Sequence, residues 1–174
     1  IGNLINLTRL WLTNNQLIGE IPESIGNLTN LTILWISNNQ LIGEIPPSIG
    51  NLLEVIFFYL SGNQLVGEIP ESIYYLTNLE KLYLYNNQLS GGISVNINNL
   101  INLDHLYLSG NQLSGVIPEG ICNLSDNCII NFNNNNICPP YPECLTEEDV
   151  GFQYTSECEE PSLCDEEIEV ELWG

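Results

Sequence analysis

One column of large aromatic residues recurs every 24 positions along the chain. Its members are Trp11, Trp35, Tyr59, Tyr83 and Tyr107. Tryptophan and tyrosine offer a rigid contact area with a polar tip, and they are frequent in binding hot spots. The column could therefore bind a peptide or a sugar. It could equally stabilise a scaffold by cross-strand stacking. Duplication copies every column of a repeat, so the regularity of the column does not by itself indicate binding.

A second group of residues breaks the repeat next to this column. Tyr85 stands where other units carry serine or threonine, in the column Thr13, Ser37, Ser61, Tyr85 and Ser109, which we expect to face outward. Copying does not explain such departures. We therefore expect the best candidate for ligand binding to be the patch Phe57, Tyr59, Lys81, Tyr83, Tyr85 and His105.

Charge and hydropathy exclude several classes of function. Twenty-two acidic and two basic residues give a formal net charge of −20, so we expect no nucleic-acid or anionic-lipid partner. No apolar run approaches the roughly 18 residues of a membrane span. His105 has no Ser or Cys at a recognisable catalytic spacing, which indicates an exposed surface residue and no enzyme. We expect no metal and no cofactor, because no ligand pattern matches either.

The six cysteines lie in the last third of the chain: Cys122, Cys128, Cys138, Cys144, Cys158 and Cys164. An even number confined to one end indicates disulfides in an oxidising compartment. Zinc is the weaker alternative, since there is no CxxC pair. Fifteen pairings are possible; we expect one short loop, Cys138 with Cys144, across "CPPYPEC".

A 24-residue repeat must position all these side chains. Its unit reads LxxLxLxxNxLxGxIPxxIGNLxN, with complete copies at 7–30, 31–54, 55–78, 79–102 and 103–126 and a degenerate sixth. The LxLxx segment alternates apolar and outward positions, which predicts a short strand that pairs in parallel with the next unit. Buried amides must be satisfied, so the repeated asparagines predict a ladder bonded to the backbone: Asn15, Asn39, Asn63, Asn87, Asn111 and Asn135. The xxIGNLxN segment predicts a helical turn or 3-10 piece.

The unit resembles the plant-type leucine-rich repeat of receptor-like kinase and receptor-like protein ectodomains and of polygalacturonase inhibitors. The cysteine-bearing tail resembles segments that close such arrays, including those of secreted microbial repeat proteins. The resemblance implies a right-handed solenoid with a parallel concave sheet, a 3-10 convex side and a disulfide-rich C-terminal cap. We divide the chain into an array at 1–138, a cap at 139–164 and an acidic linker or following module at 165–174. The chain starts inside a unit, "IGNLIN", so we expect a fragment with a bare, apolar N-terminal edge that would make it aggregate.

The same resemblance implies an extracellular or cell-surface module that binds a protein, peptide or glycan on its concave face. The full aromatic column, Trp11 to Tyr107, belongs to that expected face. A structural or adhesion spacer and an inhibitor of a secreted hydrolase are the alternatives. Ice binding, known for some plant-type repeats with flat Thr or Asn arrays, is disfavoured because the column begun by Thr8 and Thr32 continues as Ile56, Glu80 and Asp104.

Overall fold

The structure, a computed structural model, describes residues 1–125 and 127–158. Cys164 and the proposed segment 165–174 lie outside these residues. The elements in chain order are β1 (Arg9–Trp11), β2 (Ile18–Glu20), the 3-10 helix η1 (Glu23–Asn27), β3 (Ile33–Trp35), β4 (Gln40–Ile42), η2 (Pro47–Asn51), β5 (Phe57–Tyr59), β6 (Val66–Glu68), η3 (Glu71–Tyr75), β7 (Lys81–Tyr83), β8 (Gln88–Gly91), η4 (Val95–Asn99), β9 (His105–Tyr107), β10 (Gln112–Gly115), η5 (Glu119–Asn123), β11 (Ile129–Asn131), β12 (Asn136–Ile137) and the α-helix α1 (Glu147–Val150). No helix in the described part is long and apolar enough to cross a membrane.

Each repeat unit forms one coil of a solenoid. The first strands of successive coils build a six-stranded parallel sheet in the order β1-β3-β5-β7-β9-β11, and the second strands form a four-stranded and a two-stranded sheet. In the six-stranded sheet, residues 24 apart stand opposite each other, as Trp11 does with Trp35 and Tyr83 with Tyr107. The helices η1 to η5 form the convex side. The predicted solenoid with a parallel sheet, 3-10 convex side and C-terminal cap is confirmed.

The core lies between the sheets and the 3-10 helices. From the second unit onward, the inward leucines and isoleucines are almost fully buried, and Phe58 replaces a leucine there at 0% exposure. In the first unit Leu7 and Leu12 are only partly buried, and Leu17 is 37% exposed. A Cβ on Gly26 of the convex side would overlap the Ser48 backbone of the next coil. The equivalent residue of the third unit is Tyr74, which is 1% exposed.

The Tyr74 hydroxyl is a buried polar group in this otherwise apolar part of the core. It lies beside the Ser94 backbone without a hydrogen bond of acceptable geometry. Burial raises the pKa of Tyr74 to about 12, with a smaller lowering by that backbone. The fourth unit carries Ser94 in place of proline, and its hydroxyl accepts from Asn96 N at 3.1 Å at the start of η4.

The turn that follows each concave strand explains another column of the repeat. Asn14, Asn38, Asn86 and Asn134 have φ between 54° and 58°, and Gly62 and Gly110 have φ of 64° and 65°. Only glycine and, less easily, asparagine adopt this left-handed conformation without large strain. The backbone therefore restricts this column to two residue types.

The repeated asparagines join adjacent coils through their side-chain amides. Asn87 Nδ2 donates to Leu84 O of its own coil at 3.0 Å and to Leu60 O of the preceding coil at 3.1 Å, while its Oδ1 accepts from Leu65 N at 3.1 Å. Asn39, Asn63, Asn111 and Asn135 repeat this pattern. Asn15 is exposed and bonds only within its own coil, to Leu12 O and Thr13 O.

Gln153 of the C-terminal segment continues the same pattern. Its Nε2 donates to Phe132 O and Val150 O at 2.9 and 2.6 Å, and its Oε1 accepts from Ile137 N at 3.1 Å. Gln153 also forms a parallel bridge with Asn135. The segment thus takes the place of a further coil although it lacks the repeat sequence.

Two disulfides tie the end of the chain to the array, Cys122–Cys144 and Cys138–Cys158, with Cα–Cα distances of 5.7 and 5.6 Å. The expected Cys138–Cys144 pairing is wrong, because Cys144 meets the cysteine of η5 and Cys138 meets the chain that follows Gln153. Cys128 is half-buried and has no disulfide partner within the described residues. Burial and the neighbouring Asp104 and Asp149 raise its pKa to about 12.

Candidate functional site

The aromatic column forms a stack along the concave sheet that one edge-to-face contact interrupts, between Trp35 and Tyr59. The ring centroids of Trp11 and Trp35 are 4.4 Å apart, those of Tyr59 and Tyr83 4.6 Å, and those of Tyr83 and Tyr107 4.7 Å, with interplanar angles of 21°, 28° and 8°. Trp35 meets Tyr59 edge to face at 5.1 Å and 80°. These distances match the roughly 4.8 Å spacing of neighbouring strands, so the sheet itself sets the stack.

The stack determines which parts of the rings a ligand can reach. Neighbouring rings cover both faces of Tyr83, and Trp11 and Trp35 stack face to face. The Trp35–Tyr59 contact is edge to face, so one of these two rings presents its edge to the other. Trp11 at the free end is 61% exposed. Since a tyrosine hydroxyl is the atom farthest from the backbone, the interior of the column presents ring edges and hydroxyls.

Partial burial in the stack changes the acidity of two hydroxyls. Burial, followed by the neighbouring Tyr83 and the charge of Glu80, raises the pKa of Tyr59 to about 12. Burial, followed by Tyr107 and Tyr85, raises the pKa of Tyr83. Both hydroxyls therefore stay neutral at ordinary pH and can donate and accept hydrogen bonds.

The departures from the repeat lie beside the middle of the stack, and we call the six residues Phe57, Tyr59, Lys81, Tyr83, Tyr85 and His105 the concave patch. Tyr85 is half-buried, with ring centroids 6.2 Å from Tyr83 and 6.5 Å from Tyr107. Lys81 Nζ lies 5.7 Å from the centroid of the Phe57 ring, within the range of a cation–π contact. The structure thus brings all six predicted residues together.

The column of Tyr85 does not face outward throughout. Ser37 and Ser61 are 3% and 2% exposed, and Ser61 Oγ lies 3.0 Å from Ser37 Oγ in a buried hydrogen bond. The expectation of a fully outward column is wrong, because these short side chains are buried and satisfy their hydroxyls by bonding to each other. The larger Tyr85 lies over its aromatic neighbours.

His105 is less exposed than the sequence predicts. Its ring is half-buried and packs edge-on against Tyr83 at 6.1 Å and Tyr107 at 5.8 Å. The Nδ1 atom is buried and has no hydrogen-bond partner in the described part of the chain. The contacts of the ring with Tyr83 and Tyr107 make the histidine part of the aromatic packing.

An acidic groove of about 610 Å³ borders the concave patch at the start of the strands. Its lining residues are Thr32, Glu54, Ile56, Asn78, Glu80, Ile101, Asn102, Asp104 and Ser125. Sequence reasoning missed this groove because its carboxylates, Glu54, Glu80 and Asp104, come from different units. The sequence feature that could have revealed the groove was the change from threonine to Glu80 and Asp104 along the first outward column. Within residues 1–125 and 127–158, no group of three or more His, Cys, Asp or Glu side chains could hold a metal ion.

Comparisons with known proteins agree with this architecture. Residues 1–126 match a family described as leucine-rich repeat region. A comparison with curated proteins gives no significant match. The matched family is a repeat family, and no enzymatic family is matched.

Solved structures similar to the chain include several plant proteins. The plant peptide hormone receptor RGFR1 in complex with RGF2 is 41% identical with a TM-score of 0.76, over 79% of this chain and 22% of that one. The Arabidopsis receptor kinase HAESA ectodomain, in complex with an IDA peptide hormone ligand, is 36% identical with a TM-score of 0.77, over 81% and 24%. A plant ice-binding protein is 33% identical with a TM-score of 0.71, over 78% and 44%. The chain therefore spans less than half of each of these proteins, and it belongs to the leucine-rich-repeat family.

Proposed function

We propose that the chain is an extracellular ligand-binding module that holds a peptide against its concave sheet. The observation that carries this proposal is the stack of aromatic rings whose edges and hydroxyls face out from the middle of the sheet. Edges and hydroxyls suit a peptide, which offers backbone donors and acceptors together with apolar side chains.

A glycan is the weaker ligand class on the same geometry. Sugars pack their apolar C–H faces on open aromatic faces, and stacked neighbours occupy both faces of Tyr83 and one face each of Tyr59 and Tyr107. The similar solved structures of RGFR1 and HAESA contain RGF2 and an IDA peptide hormone ligand. Because the chain covers only 22% and 24% of those proteins, their partners support a peptide class and no particular peptide.

The proposed extracellular location rests on the cap. Its two disulfides have ordinary Cα–Cα separations, and such bonds persist in oxidising compartments.

The alternatives predict different surfaces. An inert spacer needs no departure from the repeat, whereas the concave patch departs from it at Tyr85, Lys81 and Phe57. An ice-binding array needs a regular polar column, but the first outward column changes from threonine to isoleucine and acids. Inhibition of a secreted hydrolase would be one form of protein binding by the same face.

Binding to secreted-peptide pools and to an oligosaccharide array tests the proposal. Wild type is compared with Tyr59→Ala/Tyr83→Ala, and the matched control is Tyr75→Ala/Tyr154→Ala, which removes two tyrosines that are 57% and 55% exposed outside the stack. We expect peptide binding by wild type and by the control, and its loss in the stack variant. Binding that survives in the stack variant would refute the concave site, and binding of oligosaccharides alone would refute the peptide class.

A further inference from the structure

The acidic groove and the concave patch form one continuous surface. Glu80 lines the groove, and the next residue, Lys81, belongs to the patch. Glu80 also lies close enough to Tyr59 for its charge to contribute to the raised pKa of that hydroxyl. A ligand lying across β5, β7 and β9 over the ring edges would therefore also contact the groove.

The charge of this surface is not balanced by the chain itself. The chain has only two basic residues, Arg9 and Lys81, against 22 acids. Lys81 Nζ lies over the Phe57 ring, and Arg9 lies in β1, three strands from β7 in the sheet. The carboxylates of Glu54, Glu80 and Asp104 consequently give the groove an uncompensated negative charge, which attracts a cationic partner.

The geometry favours a cation carried on a chain over a bare ion. A metal ion needs several ligand atoms converging on one point, and no such group exists among the described residues. The groove is open, about 610 Å³ in volume, and also lined by the apolar Ile56 and Ile101. A lysine or arginine side chain fits this combination, since its aliphatic stem covers apolar surface while its head reaches the carboxylates.

We infer that the concave face binds an extended basic peptide, with a Lys or Arg side chain in the acidic groove and the peptide backbone over the ring edges of the concave patch. The inference rests on the proposed function and adds the charge of the ligand. Glu80 and Asp104 directly precede the adjacent strands β7 and β9 and are the pair expected to contact the basic side chain. The tyrosine hydroxyls supply donors and acceptors to the backbone.

Three synthetic peptides test the inference by fluorescence anisotropy. They share one sequence of about ten residues, enough at about 3.3 Å per residue to cross the middle strands, with blocked ends. Two positions carry arginine in the first peptide, glutamine in the second and glutamate in the third. Wild type is expected to bind the arginine peptide most tightly, the glutamine peptide more weakly and the glutamate peptide least.

Two double variants locate the charge effect. Glu80→Gln/Asp104→Asn is expected to weaken binding of the arginine peptide about tenfold, as for two partly exposed ion pairs. The control Glu20→Gln/Glu68→Gln changes the net charge equally on the second-strand sheets, and we expect affinity within about twofold of wild type since distant surface charges are screened. An equal loss in the two variants, or equal affinity for arginine and glutamine peptides, overturns the inference.

The stack variant separates this inference from the proposed function. If wild type binds the three peptides with equal affinity and Tyr59→Ala/Tyr83→Ala abolishes that binding, the concave site stands and the basic ligand is refuted. If no peptide binds at protein concentrations up to about 1 mM, where even weak affinities of about −4 kcal/mol are detected, both are refuted.

Discussion

The amide ladder makes a quantitative prediction for Asn87→Ala. The substitution removes Asn87 Oδ1, the one hydrogen-bond acceptor of the Leu65 N–H among the described residues. Leu60 O still accepts from Asn63 at 2.9 Å, and Leu84 O still accepts from Asn111 at 3.1 Å. One orphaned buried N–H costs about 1–3 kcal/mol and each of the two weakened carbonyls about 0.5–1 kcal/mol, so we expect a loss of about 2–5 kcal/mol.

The chain contains its own matched control. Asn15 holds the same position in the first unit, but it is exposed and bonds only to Leu12 O and Thr13 O of its own coil. Because water can replace both bonds, we expect Asn15→Ala to cost less than about 1 kcal/mol. Two residues of one type and one repeat position thus differ only in whether a preceding coil covers them.

Urea unfolding with intact disulfides and amide hydrogen exchange together test this difference. In Asn87→Ala the Leu65 amide should lose protection, whereas the Leu41 amide, bonded to Asn63 Oδ1 at 3.1 Å, should keep it. The reasoning is refuted if both alanine variants cost the same within about 0.5 kcal/mol, or if the Leu65 and Leu41 amides remain equally protected.

Three further predictions concern the cap, the convex core and the stack. Gln153→Glu keeps the shape of the side chain but places a carboxylate against two carbonyl oxygens. Hydrogen exchange should therefore show that the free energy of opening the cap falls by about 2–3 kcal/mol. Unchanged protection of the Ile137 N–H would contradict this. Tyr74→Phe removes a buried hydroxyl without a partner, so urea unfolding should show unchanged or up to about 1 kcal/mol greater stability, and a clear loss would reveal a hidden hydrogen bond. The pKa of Tyr59 is about 12 in the folded protein and about 10 in the unfolded chain. The contribution of this hydroxyl to stability is therefore complete below pH ~10 and is lost as pH rises through 12. Subtracting the tyrosinate absorbance titration of Tyr59→Phe from that of wild type should isolate this late ionisation, and ionisation near pH ~10 would contradict the prediction.

Local periodicity was enough to predict the coil and its concave side chains. The alternation within Leu82 to Leu84 and the fixed offset of Asn87 depend only on stacking identical units. The patch could be predicted as well, because registration by 24 residues places Lys81 beside His105 and Phe57. What the sequence left open was whether the rings would expose faces or edges, since that depends on side-chain rotamers.

Features that do not follow the 24-residue repeat were not predicted, and the reason is physical. The disulfide pairs depend on how the nonrepeating tail crosses the last coil, which no spacing rule encodes. Gln153 escaped notice because it is 18 residues after Asn135 where the repeat would require 24. The acidic groove combines Glu54, from the end of one unit, with Glu80 and Asp104 from the beginnings of others.

The continuation of the amide ladder by Gln153 implies that the cap is a portable module. The cap joins the last coil through a short parallel backbone pairing, one side-chain amide and Val150 beneath it. Every coil of the array presents the same backbone groups at the same places. A cap of this kind can therefore be spliced after a different number of coils, so that array length can vary while termination stays the same. The additional requirement is two cysteine partners at the end of the array, Cys122 on the last 3-10 helix and Cys138 after β12.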